Sequence, residues 1–133
     1  MSASAPRVLV VEDDPNVRGL LQTLLSAEGY VVATASDGIA GLVKAAVDPP
    51  ALMVLDVMMP DLGGLRVLEE LASNPRLADV PVVVVTGKQE AIPGLRDRLG
   101  DGSVFLKPFG VPELLARVEE LTGGASPPHG GKG

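Results

Sequence analysis

The chain has 133 residues, enough for one domain with a buried core, and its 46% apolar and 21% charged residues give a globular balance. A net charge of -6 argues against nonspecific nucleic-acid binding, and the absence of cysteine excludes disulfides, thiolate metal sites and cysteine nucleophiles. No apolar run approaches the ~20 residues of a membrane span, and the opening Met-Ser-Ala-Ser-Ala-Pro lacks the apolar centre of a signal peptide, so a cytoplasmic protein without membrane insertion is expected.

Residues 1–6 read as an N-terminal extension, and Arg7-Val-Leu-Val-Val11 predicts a first strand. Asp14-Pro15 then reads as a helix N-cap followed by proline in the first turn. Val17, Leu20, Leu21 and Leu24 fall at helical spacing, and Gly29 closes that helix. Tyr30 to Ala35 is rich in β-branched residues and predicts a second strand; Ile39, Leu42, Val43 and Ala46 mark a second helix that Pro49-Pro50 ends. A third strand, Ala51-Leu-Met-Val-Leu55, runs into Asp56, a loop at Asp61-Leu-Gly-Gly64, and a helix carrying Leu65, Leu68 and Leu71 that Asn74-Pro75 breaks.

Val80-Pro-Val-Val-Val-Val85 is the fourth strand. Between Gln89 and Leu99, Pro93-Gly94 interrupts a helical pattern, so the fourth helix is expected to be short, shifted or partly unwound. Val104-Phe-Leu106 is a fifth strand, and Leu114, Val118 and Leu121 give the last helix its inner stripe. From Gly123 onward Gly, Pro and Ser dominate, and residues 123–133 are expected to be a disordered tail. With only three aromatics (Tyr30, Phe105, Phe109), the core must be aliphatic. Continuous apolar strands alternating with amphipathic helices imply an α/β fold, a parallel sheet covered on both faces.

Four of the strands stop at polar residues: Glu12-Asp13-Asp14, Asp56, Thr86, and Lys107 before Pro108. In an open parallel sheet these ends converge, because ligands sit at the carboxyl ends of the strands. Acids for a divalent cation, a further carboxylate, a hydroxyl and an ammonium together suit phosphoryl chemistry. Each residue taken singly has a plainer reading, as a helix-capping acid, a turn residue or an exposed lysine; their convergence outweighs it. Met53, Met58 and Met59 read as packing, and His129 in the Gly/Pro tail as carrying no role.

Val-Val-Glu-Asp-Asp-Pro, Leu-Asp-Val-Met-Met-Pro-x-x-Gly-Gly, Thr86 and Lys-Pro-Phe, in this order and spacing, resemble the receiver domain of two-component response regulators, of the single-domain type. The resemblance covers about Arg7 to Thr122 and implies a flavodoxin-like sheet of five parallel strands in the order 2-1-3-4-5, flanked by five helices. It implies that Asp56 accepts a phosphoryl group from the phosphohistidine of a sensor histidine kinase or histidine phosphotransfer protein. Mg²⁺ is implied as cofactor, held by Asp13, Asp56 and the backbone carbonyl of Met58, with Glu12 acting through a metal-bound water and Asp14 capping the helix. Thr86 and Lys107 would contact phosphoryl oxygens, and the Lys107-Pro108 bond would be cis. The face formed by the fourth strand, fourth helix, fifth strand and fifth helix would then switch and control a downstream protein effector.

Departures from the family pattern sharpen these expectations. Val104 stands where an aromatic usually reports phosphorylation, and Phe105 is expected on the other face of the sheet. Small Gly87 follows Thr86, while Met58 and Lys88 occupy positions that tune dephosphorylation in the family. Glu119 and Glu120 stand where receivers fused to winged-helix DNA-binding domains often carry basic residues, so the charged dimer interface of those proteins is not expected; direct DNA binding is not expected of so acidic a chain, and the low-complexity end favours a stand-alone protein over an excised domain. An aspartate-nucleophile phosphohydrolase would need a second aspartate at the position of Met58, so a signalling protein limited to self-phosphorylation and slow autodephosphorylation is expected rather than an enzyme. The alternative is a receiver-like interaction module that works independently of phosphorylation.

Overall fold

The computed structural model describes residues 5–58 and 64–124. Five strands, β1 (Arg7–Val11), β2 (Val31–Ala35), β3 (Leu52–Asp56), β4 (Val82–Thr86) and β5 (Val104–Leu106), form one sheet in the order β2-β1-β3-β4-β5, and every pairing is parallel. Five helices connect or follow them: α1 (Pro15–Ala27), α2 (Gly38–Val47), α3 (Gly64–Ser73), α4 (Ile92–Leu99) and α5 (Val111–Thr122). This is the flavodoxin-like, doubly wound architecture with strand order 2-1-3-4-5.

Alternation along the strands divides the core in two, which is why the strands read as unbroken apolar runs. Leu9, Val11, Met53, Leu55, Val82 and Val84 face one side and pack with Ala45, Val67, Leu71 and Leu95. Val8, Val10, Leu52, Val54, Val83 and Val85 face the other and pack with Leu21, Leu25, Leu114 and Val118. Each fully buried leucine or valine contributes roughly 1.5–3 kcal/mol relative to exposure. Val104 belongs to the first face and Phe105 packs against the second, as the regular strand requires.

Local chemistry sets the helix limits. Asp14 accepts a hydrogen bond from the Asn16 amide at 2.9 Å and caps α1 ahead of Pro15, and Gly29 follows the helix with φ 100°. Asp37 caps α2 through the Ala40 amide at 2.7 Å. Pro93 falls in the first turn of α4, where its missing N–H costs nothing. A single 3₁₀ turn, Gln89–Ala91, precedes it, so the fourth helix is shortened and starts late, not broken.

The inner face of α2 differs from the spacing expected. Ile39 and Val43 are 57% exposed and Val47 is 78% exposed, whereas Gly38, Gly41 and Ala45 are buried. Gly41 explains this: a Cβ there would lie 2.7 Å from Cγ2 of Val11, so the backbone of α2 approaches β1 along a seam of small residues. On α3, Val67 is buried beside Leu68 and Leu71, while Leu65 is half exposed. Most of the Asp61–Gly64 loop lies outside the described residues, as does the tail beyond residue 124.

Candidate functional site

The register of β1 against β3 pairs Val11 with Leu55, so the next residues, Glu12 and Asp56, sit side by side at the carboxyl edge of the sheet. Glu12 continues the ladder, its amide donating to the Ala35 carbonyl at 3.0 Å. Its side chain is 1% exposed and that of Asp56 is 3% exposed, whereas Asp13 faces solvent. Carboxylate oxygens of Glu12, Asp13 and Asp56 all lie within 4.8 Å of one another.

Lys107 closes the group from the end of β5. Its main-chain amide donates to the Thr86 carbonyl at 2.8 Å, and its bond to Pro108 is cis. Lys107 Nζ donates to Glu12 Oε1 at 3.0 Å and to Asp56 Oδ2 at 3.3 Å. The two oxygens of Asp56 are held differently, since Oδ1 accepts the Met58 amide at 2.9 Å. Glu12 Oε2 likewise accepts the Asp14 amide at 3.1 Å.

Electrostatics follow from this crowding. Burial, reinforced by the neighbouring Asp56 carboxylate, pushes Glu12 from its usual 4.5 up to about 7, against the opposing pull of Lys107 and the Asp14 amide. For Lys107, burial works against the charge, but the hydrogen bond to Glu12 and the charges of Asp56 and Glu12 outweigh it and hold its pKa above 10.5. Three carboxylates facing one ammonium leave a negative excess, and all three offer hard oxygen donors without imidazole or thiolate. That donor set fits Mg²⁺ or a similar hard divalent cation.

Thr86 is fully buried at the end of β4, and its hydroxyl accepts the Lys88 amide at 3.0 Å. The structure thus joins Thr86 to Lys107 through the main chain and leaves its side chain in a local turn. Met58 and Lys88 line one groove of about 480 Å³ with Val57 and Leu95. Met59 to Gly63 lie outside the described residues. Arg18 was not singled out by the motifs: its Nη1 donates to the carbonyl oxygens of Glu12 at 3.0 Å and Asp13 at 3.3 Å, fixing the acidic turn from α1. The signal for it was present, since Arg18 lies one helical turn beyond Asp14 and shares its face.

Comparisons with known proteins identify the family. A family profile described as "Response regulator receiver domain" matches residues 8–119. Response regulator MprA of Mycobacterium ulcerans is 43% identical over 118 residues, covering 86% of this chain and 49% of its own length. The DNA-binding dual master transcriptional regulator RpaA of Synechocystis sp. is 39% identical over 119 residues, covering 87% of this chain and 48% of its own. The chain therefore spans about half the length of these relatives. Among solved structures, response regulator TrrA of Thermotoga maritima, in complex with Mg²⁺ and beryllofluoride, is 33% identical with a TM-score of 0.78, over 87% of this chain and 98% of that one.

Proposed function

Because the chain belongs to the response regulator receiver domain family, a family of signalling modules and not of classical enzymes, we propose that it is a phosphorylatable switch with Asp56 as its acceptor. The observation that carries this reading is the buried Asp56 carboxylate, 3.3 Å from Lys107 Nζ and flanked by Glu12 and Asp13. A carboxylate oxygen of Asp56 attacks phosphorus in line, the P–N bond of a phosphohistidine breaks, and the imidazole leaves. Lys107 neutralises a phosphoryl oxygen as a point charge, and Thr86 donates its hydroxyl to another once it turns from the Lys88 amide. Asp13, Asp56 and the Met58 carbonyl, with Glu12 through water, are the proposed holders of Mg²⁺, which when bound supplies charge neutralisation and alignment. Support for the metal comes from the hard donor set and from TrrA, a relative solved with Mg²⁺ and beryllofluoride.

The proposed partners are a histidine kinase or phosphotransfer protein upstream and a protein effector downstream, bound through the face formed by β4, α4, β5 and α5. The proposed domain runs from Arg7 to Thr122, with Met1–Pro6 as an extension and the residues from 123 onward as a tail, and the proposed location is the cytoplasm. Among the described residues no helix is long and apolar enough to cross a membrane. Intact mass after incubation with Mg²⁺ and acetyl phosphate tests the reading, with released phosphate followed alongside. One Mg²⁺-dependent phosphoryl adduct on the wild type and none on Asp56→Asn is expected. Neither adduct nor released phosphate, together with no binding of beryllofluoride, would favour the phosphorylation-independent module.

A further inference from the structure

A second polar cluster sits at the opposite pole of the sheet. Four residue steps along β4 separate Val82 from Thr86, about 13 Å at the usual strand rise. At the amino ends of β4 and β5 a groove of about 350 Å³ opens, floored by Leu71, Leu77, Val80, Val82, Leu99 and Leu121. That size falls at the lower end of the roughly 300–1,000 Å³ typical of small-molecule sites. Two arginines, Arg98 from the end of α4 and Arg117 from α5, are the charged side chains on its wall, with Ser103 between them. In a chain of net charge -6, this wall carries two cations and no acid among the described residues.

The wall is short of acceptors. Arg117 Nε and Nη2 both donate to Ser103 Oγ, at 3.1 and 3.0 Å, and Nη1 donates to the exposed Glu120 at 3.1 Å. Two of its five N–H groups remain unassigned. Ser103 is 3% exposed and accepts both arginine donors, while its own proton meets no acceptor among the described residues. The Arg98 side chain forms no hydrogen bond or ion pair with any described residue. What the polar side chains of the wall leave unmatched among the described residues is therefore donors, above an aliphatic floor.

We propose that this groove is a binding site for a small amphipathic carboxylate, whose anionic end takes the Arg98, Arg117 and Ser103 donors and whose apolar body covers the leucine and valine floor. A bare inorganic anion would satisfy the donors and leave the floor wet; a neutral apolar molecule would do the reverse. Unengaged among the described residues, the Arg98 fork can present two parallel N–H groups to one carboxylate. The site shares no side chain with the acidic cluster at the other pole.

The test is a titration of the ¹⁵N-labelled full chain with 4-phenylbutanoate, read from amide shifts. Saturable shifts confined to residues 77–82, 99–104 and 117–121 are expected, unchanged in Asp56→Asn, so the result is independent of the phosphoryl reading. Arg98→Ala, at an exposed and unengaged position, should weaken binding at least about tenfold, as should replacing the acid with 4-phenylbutanamide. Ala78→Trp, at the exposed mouth of the groove, should abolish the shifts while the fold is retained. Absence of saturable shifts, equal binding of the amide, or wild-type affinity in Arg98→Ala would overturn the proposal. Inorganic phosphate shifting the same amides as strongly would overturn its apolar half.

Discussion

The two edges of the sheet carry opposite electrostatics on one scaffold. At the carboxyl ends of β1 and β3 three carboxylates gather, a single ammonium reaches two of them, and the cluster is short of positive charge. At the amino ends of β4 and β5, two arginines and a buried serine hydroxyl line a groove without any acid among the described residues. Strand direction accounts for the first, since side chains that leave a parallel sheet at its carboxyl edge converge. The second is built by helix ends, from the last turn of α4 and the outer side of α5. A net charge of -6 thus conceals a local surplus of donors, and the sign of a whole chain does not predict the sign of each pole.

Substitutions at the two poles should have opposite effects. Asp56→Asn should lose phosphoryl labelling altogether, while Arg98→Ala should label at the wild-type rate; intact mass after acetyl phosphate treatment distinguishes them. Next in size is pH dependence. Glu12 has a folded pKa of about 7 against 4.5, so its contribution to stability is fully present below pH 4.5 and is lost as pH rises through 7. At 1.36 kcal/mol per unit this is at most about 3 kcal/mol. Urea unfolding of the metal-free chain across that window should show the decline, and Glu12→Gln should flatten it. Saturating Mg²⁺ should oppose the decline, because the cation favours the ionised carboxylates.

Arg117→Ala removes both donors from the buried Ser103 and should cost roughly 1–3 kcal/mol in chemical denaturation. Lys107→Met withdraws the ammonium that competes with a divalent cation for Glu12 and Asp56. Mg²⁺ affinity, measured calorimetrically, should rise by roughly tenfold, or about 1.4 kcal/mol, well inside the ~4 kcal/mol that unit charges 4 Å apart exchange at an effective dielectric of 20. Smallest is the stability change in Arg98→Ala, expected within about 0.5 kcal/mol because the side chain is exposed and forms no hydrogen bond or ion pair with any described residue.

What the sequence disclosed and what it withheld divide along physical lines. Strand runs ending in Glu12, Asp56, Thr86 and Lys107 were legible because in a parallel sheet the last residue of a strand has a nearly fixed location. Strand order followed from the family resemblance, not from the runs themselves. The buried face of α2 was not legible, because its ten residues include one charge, Lys44, and a helix apolar all round gives its period no contrast. Only the approach of Gly41 to Val11 selects the inner side. The start of α4 was half legible: Pro93 announced a disturbance, but whether it broke the helix or opened it depended on the turn before it. The Arg117–Ser103 pair joins residues fourteen apart across a loop and a helix, a contact no local pattern encodes.

The division of the core into two faces also sets an order for the nascent chain. The face covered by α2, α3 and α4 draws its described core from residues up to Val104. The opposite face needs Leu114 and Val118, and Tyr30 at the head of β2 finds Thr122 Oγ1 only at the far end of α5, 3.1 Å away. As synthesis proceeds, one side of the sheet has its described cover, while the other, clad so far only by Leu21 and Leu25 of α1, still shows Val54, Val83 and Val85 to water or to a chaperone. Those β-branched residues remain a sticky surface until the last helix leaves the ribosome and closes over them. A stall before Thr122 would leave a half-clad sheet, and such chains are the ones quality control would meet first.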